Sequence, residues 1–134
     1  MKEIIDSNSK DAIVLYRLSR AHDSLGEAEL MYGCGHFNAA INRLYYACYY
    51  AATSLLSKNN VQILRYNSVK SLLANHFISK GLLSLEHGNT FEILQKKRHS
   101  GDYDDFVYCD KEMVDELTPK ARDFIEAVKN LINQ

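Results

Sequence analysis

Nine consecutive residues, Gln95-Lys96-Lys97-Arg98-His99-Ser100-Gly101-Asp102-Tyr103, gather three cations, a histidine, an acid and a phenol. The chemistry such a set offers is phosphate chemistry. An arginine's planar fork grips a phosphate with two parallel hydrogen bonds. A histidine titrates near neutral pH and can pass a proton, as can a carboxyl group whose environment is tuned. Arg98 is therefore the candidate phosphate contact, with Lys97 beside it, and His99 or Asp102 the candidate proton-transfer group. The bland alternative is that cations at a helix C-terminus are favourable against the helix dipole alone.

A second constellation reads Asn42-Arg43-Leu44-Tyr45-Tyr46-Ala47-Cys48-Tyr49-Tyr50. Arg43 stands in an otherwise apolar stretch, where a buried charge is costly unless it is paired. Asp102 is the acid expected to pair with it. Arg43, with Tyr46 on its side of a helix, would form one wall of a polar pocket and the 98–103 segment the other. Alternatively the tyrosines are core residues with satisfied hydroxyls.

Other chemistries lack a pattern. His76 sits on an apolar face, and His22, His36 and His87 stand alone. No Glu-x-x-His pair supports a di-metal centre in a bundle. Neither common glycine-rich phosphate loop is present, and no serine has a nucleophile-elbow context. Cys34, Cys48 and Cys109 are scattered and odd in number, so no zinc site or disulfide framework is expected. Neither a metal nor another cofactor is called for.

The elements that must position these residues read as helices. Val14, Leu18, Ala21, Leu25, Ala28 and Tyr32 recur at helical spacing, with Arg17, Arg20, Asp23 and Glu27 opposite. This predicts a helix over about 10–32, ended by Gly33 and Gly35. Residues 36–56 are apolar nearly all round, the mark of a helix surrounded by others. A third helix should start at Asn67 or Ser68 and close at Lys80-Gly81. A fourth should span 85–98 with a break near Gly88, followed by a loop over 99–109. Met113, Leu117, Ala121, Phe124, Val128 and Leu131 define the last helix. Pro119 should kink it or restart it, with Thr118 as the cap. The expected fold is an all-α antiparallel bundle of about five helices in one domain spanning 1–134, with its core over about 10–132.

At 134 residues and 46% hydrophobic content the chain can bury a self-sufficient core. Its net charge of −1 excludes binding to nucleic acid by bulk charge, so any such contact needs a local patch. The polar first ten residues and the absence of an 18-residue apolar run predict neither a signal peptide nor a membrane span. The thiols fit a reducing cytoplasm.

Three segments together resemble the HEPN domain, in particular its small stand-alone prokaryotic members: GHFNAAINRLYYACYYAATSLL (35–56), NSVKSLLANHFISKGLLSLEHG (67–88) and RHSGDYDDF (98–106). The matching positions are Gly35, Phe37 and Ala40; Arg43, Tyr45, Tyr46 and Ala47; and Arg98, Asp102 and Tyr103. The resemblance covers about residues 10–132. It implies a helical bundle that often dimerises. It also implies a toxin-type role beside a minimal nucleotidyltransferase partner, and a site for nucleotide or RNA. In this reading Arg98 holds phosphate, with Arg43, Tyr46 and Lys97 around it. Asp102 orients an arginine, and Tyr103 stacks a base or accepts a modification from the partner. Several members are metal-independent ribonucleases that use an arginine, four to six intervening residues and a histidine. Here the histidine after Arg98 is His99, immediately adjacent, so that motif is not intact. His99 would be the acid–base group if RNA were cleaved. Against this stand a non-catalytic homodimeric interaction module with a structural 98–103 segment, and a small-ligand-binding bundle.

Overall fold

The computed structural model describes residues 7–64, 68–103 and 108–134, without the side chains of 7 and 99–103. Among them the chain forms α1 (Ser7–Gly33), α2 (Phe37–Lys58), α3 (Val69–Leu73), a π-helical turn (Ala74–Ile78), α4 (Leu85–Tyr103) and α5 (Lys111–Ile132), with no strand. The all-α expectation holds. No helix among the described residues is long and apolar enough to cross a membrane.

The core is organised by α2, which packs against α1, α3, α4 and α5. Ala40, Ile41, Leu44, Ala47, Cys48, Ala51, Ala52, Leu55 and Leu56 are fully buried along it. Its alanines let neighbouring helices approach closely while keeping high helix propensity. Burial pushes the Cys48 thiol pKa far up, which leaves that sulfur inert.

The α1–α2 hairpin has a fixed register. Gly35 takes a left-handed φ of 76°, and the bonds Gly35 N–H to Tyr32 C=O (3.0 Å) and His36 N–H to Met31 C=O (2.9 Å) close a Schellman cap. With the turn set, each step back along α1 meets an equal step forward along α2. Glu27 faces Arg43, Arg17 faces Ser57, and the buried Ser54 hydroxyl donates to the Val14 carbonyl at 2.8 Å.

Three local expectations are corrected. The fourth helix runs five residues past Arg98, to Tyr103, rather than giving way to a loop at 99. It does not break at Gly88. A Cβ there would lie 2.6 Å from Ile78 Cδ1, so the glycine provides clearance for the π-helical turn instead of ending a helix. Its true cap is Ser84, whose hydroxyl accepts from His87 N–H at 3.1 Å. Finally, α5 does not restart at Pro119 but is continuous from Lys111. The Thr118 hydroxyl is spent on the Val114 carbonyl at 2.7 Å, and the cap is Asp110, which accepts from Met113 N–H at 2.9 Å.

Asp110 also places negative charge at the helix N-terminus. Asp110→Ala should therefore cost about 1 kcal/mol, and Asp110→Asn distinctly less. Urea unfolding checks this: the midpoint should fall with an unchanged slope.

Candidate functional site

Tyr45 and Tyr46 are successive positions of α2 that diverge around the helix. Tyr45 turns inward and is 5% exposed; Tyr46 is half-buried. The Tyr45 ring rests 5.7 Å from Phe91 of α4, centroid to centroid, and Phe91 in turn lies 5.9 Å from Phe124 of α5. The tyrosine floor is thus continuous with the core.

Arg98 comes down onto that floor from α4. Its guanidinium carbon lies 4.8 Å from the Tyr45 ring centre and 5.7 Å from that of Tyr46, and Nη1 donates to the Tyr46 hydroxyl at 3.1 Å. The Arg43 guanidinium also sits close, 4.9 Å from the Tyr46 ring centre. One phenol ring is therefore within cation–π reach of two guanidiniums. Burial raises the Tyr45 pKa; Arg98 and a hydrogen bond with Gln95 pull it partly back. Tyr45 stays a neutral phenol at physiological pH and supplies a stacking surface, not a base.

The two arginines are balanced differently. Arg43 Nη1 meets Glu27 Oε1 at 3.4 Å, and its Nε and Nη2 donate to Asn42 Oδ1 at 3.1 and 2.6 Å. Arg98 has no carboxylate partner among the described residues, and its Nε is buried without a hydrogen-bond partner there. Leaving such a donor unmade is costly, of order 1–3 kcal/mol. Among the described residues the cluster thus holds more cations than acids on an aromatic base, a combination suited to an anion that also carries a planar ring.

Of the residues singled out in the sequence, the structure brings together Arg98, Arg43 and Tyr46. It does not bring Lys97 to them. One position before Arg98 on α4, Lys97 points instead to α5, with Nζ 3.9 Å from Met113 Sδ. It also lies near Cys109, whose thiol pKa burial raises and Lys97 partly lowers. The expected partner of Arg43 was Asp102; among the described residues the acid that meets it is Glu27. His99, Asp102 and Tyr103 have their backbone in α4, with Asp102 one turn beyond Arg98, but their side chains lie outside the described residues.

Sequence reading missed the part played by α1. The spacing places Arg17 and Arg20 on the face opposite the apolar stripe of α1. In the structure Arg17 Nη1 donates to Ser57 Oγ at 2.6 Å, and Arg20 lies 5.3 Å from the Tyr50 ring centre. The available signal was the hairpin register, which sets those arginines opposite the polar edge of α2. Among the described residues no three His, Cys, Asp or Glu side chains converge as a metal ion requires.

Comparison with known proteins gives this geometry a context. A Thermotoga maritima protein named as a UPF0332 protein is 29% identical over 125 residues, covering 93% of this chain and 95% of its own. A Methanocaldococcus jannaschii protein bearing the name "putative toxin" is 24% identical over 115 residues, covering 86% of this chain and 78% of its own. The family model for the HEPN domain matches residues 14–131, a span that contains α2, α4 and every arginine and tyrosine of the cluster, and the chain belongs to the HEPN domain family.

Proposed function

We propose that this HEPN-domain protein is a toxin-type component that binds nucleotide or RNA at the Arg98–Tyr46–Arg43 cluster. It acts as a homodimer beside a nucleotidyltransferase partner. The observation that carries the binding role is the state of Arg98: a guanidinium laid on two tyrosine rings, unopposed by a carboxylate among the described residues. A phosphate supplies a negative charge for the guanidinium, and a base supplies a ring for the tyrosine–arginine layer. The toxin-type role draws on the name of the Methanocaldococcus relative. The partner and the dimer draw on the family resemblance of residues 35–56 and 98–106.

Calorimetric titration with adenosine monophosphate, and with a short single-stranded RNA, tests the binding role. Saturable heat with either is expected; none with both at millimolar ligand would remove it. Glu27 gives a second check. It is 43% exposed in its side chain and competes with phosphate for Arg43. Glu27→Gln should raise phosphate-ligand affinity by roughly two- to fivefold while costing under about 1 kcal/mol of stability, the range of an exposed ion pair. Weakened binding in this variant would contradict the electrostatic account.

A further inference from the structure

The cluster around Arg98 continues along the α1–α2 seam as a second, unassigned arrangement of the same kind. Tyr46 and Tyr50 are one helical turn apart on α2, with ring centres 6.3 Å from each other. Each carries a guanidinium: Arg43 lies over Tyr46 at 4.9 Å and Arg20 over Tyr50 at 5.3 Å. Proximity to the Tyr50 phenol raises the Arg20 pKa. Both arginines keep 30% of their side-chain surface exposed, so each remains within reach of a ligand from solvent. Beyond Tyr50, Arg17 is anchored to Ser57 Oγ and the Thr53 carbonyl and has no acid partner among the described residues.

Charge along this seam is also biased. Of the four arginines, Arg20 is met by Asp23 and Arg43 by Glu27, whereas Arg17 and Arg98 are met by no carboxylate among the described residues. Among the described residues, a chain of net charge −1 therefore carries a local cationic stripe interleaved with aromatic rings. That combination is what single-stranded nucleic acids use: phosphates follow the cations while bases stack on aromatic faces or guanidinium planes. A mononucleotide fills one such platform. Two platforms in line need a strand.

We propose that the Arg20–Tyr50 pair, with Arg17, is a second nucleotide subsite, so that the ligand is a single-stranded oligonucleotide running from Arg98 along the α1–α2 seam. This inference rests on the phosphate-binding reading of the Arg98 cluster and extends it in length. Both platforms are preordered by their own cation–π contacts, so the strand finds them formed.

The test is fluorescence titration of the full chain with adenosine monophosphate and with single-stranded oligoadenylate of roughly ten nucleotides, a length within the span such grooves cover. The oligomer is expected to bind tighter than the monophosphate. Arg20→Ala and Tyr50→Leu should each lower oligomer affinity about tenfold and leave monophosphate affinity unchanged. The Arg17→Ala/Arg20→Ala double variant should flatten the dependence of log affinity on log salt by about 1.4, at about 0.7 per lost phosphate contact on a single strand. Thermal melts establish that each variant is folded; Arg20→Ala, which removes a partly exposed side chain, keeps the test decisive should Tyr50→Leu unfold. Wild-type oligomer affinity in Arg20→Ala, together with a loss of both ligands in Arg98→Ala, overturns the second subsite and leaves the first intact. Unchanged binding of both ligands in Arg98→Ala overturns the first. A duplex of the same length binding as tightly as the single strand also overturns the proposal, because its bases are not free to stack.

Discussion

Arg98→Ala should lower affinity for adenosine monophosphate by roughly ten- to a hundredfold, while Arg98→Lys recovers only part of the loss. A hydrogen bond between charged groups contributes about 1.5–3 kcal/mol, and a bidentate grip places two in parallel. Lysine restores the charge but not the fork or the flat face that lies on Tyr45 and Tyr46. The effect on stability is expected to be smaller than the effect on binding. Alanine removes the bond to the Tyr46 hydroxyl and two cation–π contacts, together about 1.5–3.5 kcal/mol before any offset. It also removes a buried Nε that has no hydrogen-bond partner among the described residues, which offsets part of that cost. Calorimetry and urea unfolding on the same preparations separate the two quantities. A purely structural Arg98, as in a non-catalytic interaction module, requires the opposite ordering: stability falls and there is no ligand affinity to lose. An RNA-cleavage time course adds a third readout. Equal cleavage by wild type and Arg98→Ala would exclude Arg98 from any nuclease chemistry.

The fold was readable because its helices carry long apolar repeats and few breakers. Val14, Ala21 and Ala28, picked from spacing alone, are all buried on α1, and the nearly all-apolar stretch around residues 36–56 is the central helix. Errors fell where a residue type has two physical uses. Gly88 looked like a helix break but is a clearance site against Ile78. The polar stretch after Arg98 looked like a loop, yet polarity does not end a helix, and one glycine at 101 costs only about 1 kcal/mol. Thr118-Pro119 looked like a cap and first position, but a helix already capped at Asp110 runs through it.

The meeting of Arg98, Arg43 and Tyr46 was legible in the sequence, whereas the contact of Arg43 with Glu27 was not. Arg43 was recognised as a charge in need of an acid, because α2 is otherwise apolar. Among the described residues the acid it meets is set by the antiparallel register of α1 against α2, which brings Glu27 across from it. That register follows from the Schellman cap at Gly35 and not from α2 itself. Arg17 and Arg20 were overlooked for the same reason. On an isolated amphipathic helix their face is a solvent face; in the hairpin it borders Tyr50 and Ser57. Tyr45 is both core and floor, since its ring meets Phe91 and also carries Arg98.

That double role makes Phe91 the residue where fold and site are most tightly joined. Phe91 is fully buried between Tyr45 and Phe124. Phe91→Ala should cost about 3–5 kcal/mol, since it deletes a large apolar side chain and leaves a cavity that rigid helices close only partly. Against a total of about 5–15 kcal/mol for a domain this size, much of the stability margin goes. Phe91→Leu, which refills most of the volume, should cost about 1–2 kcal/mol. The more specific expectation concerns the folded fraction. With its support removed, the Tyr45 ring can settle toward the cavity and take the Arg98 resting surface with it. Monophosphate affinity should then fall several-fold in Phe91→Ala, measured at low temperature where the protein remains folded, and stay near wild type in Phe91→Leu. Leu44→Ala is the control: an equally buried α2 residue with none of the cluster's ring or guanidinium contacts, it should lose comparable stability without that drop in affinity. If Phe91→Ala and Leu44→Ala lower affinity alike, the loss reflects general loosening of the bundle. If only Phe91→Ala does, the core aromatic column sets the height of the floor on which Arg98 presents its charge.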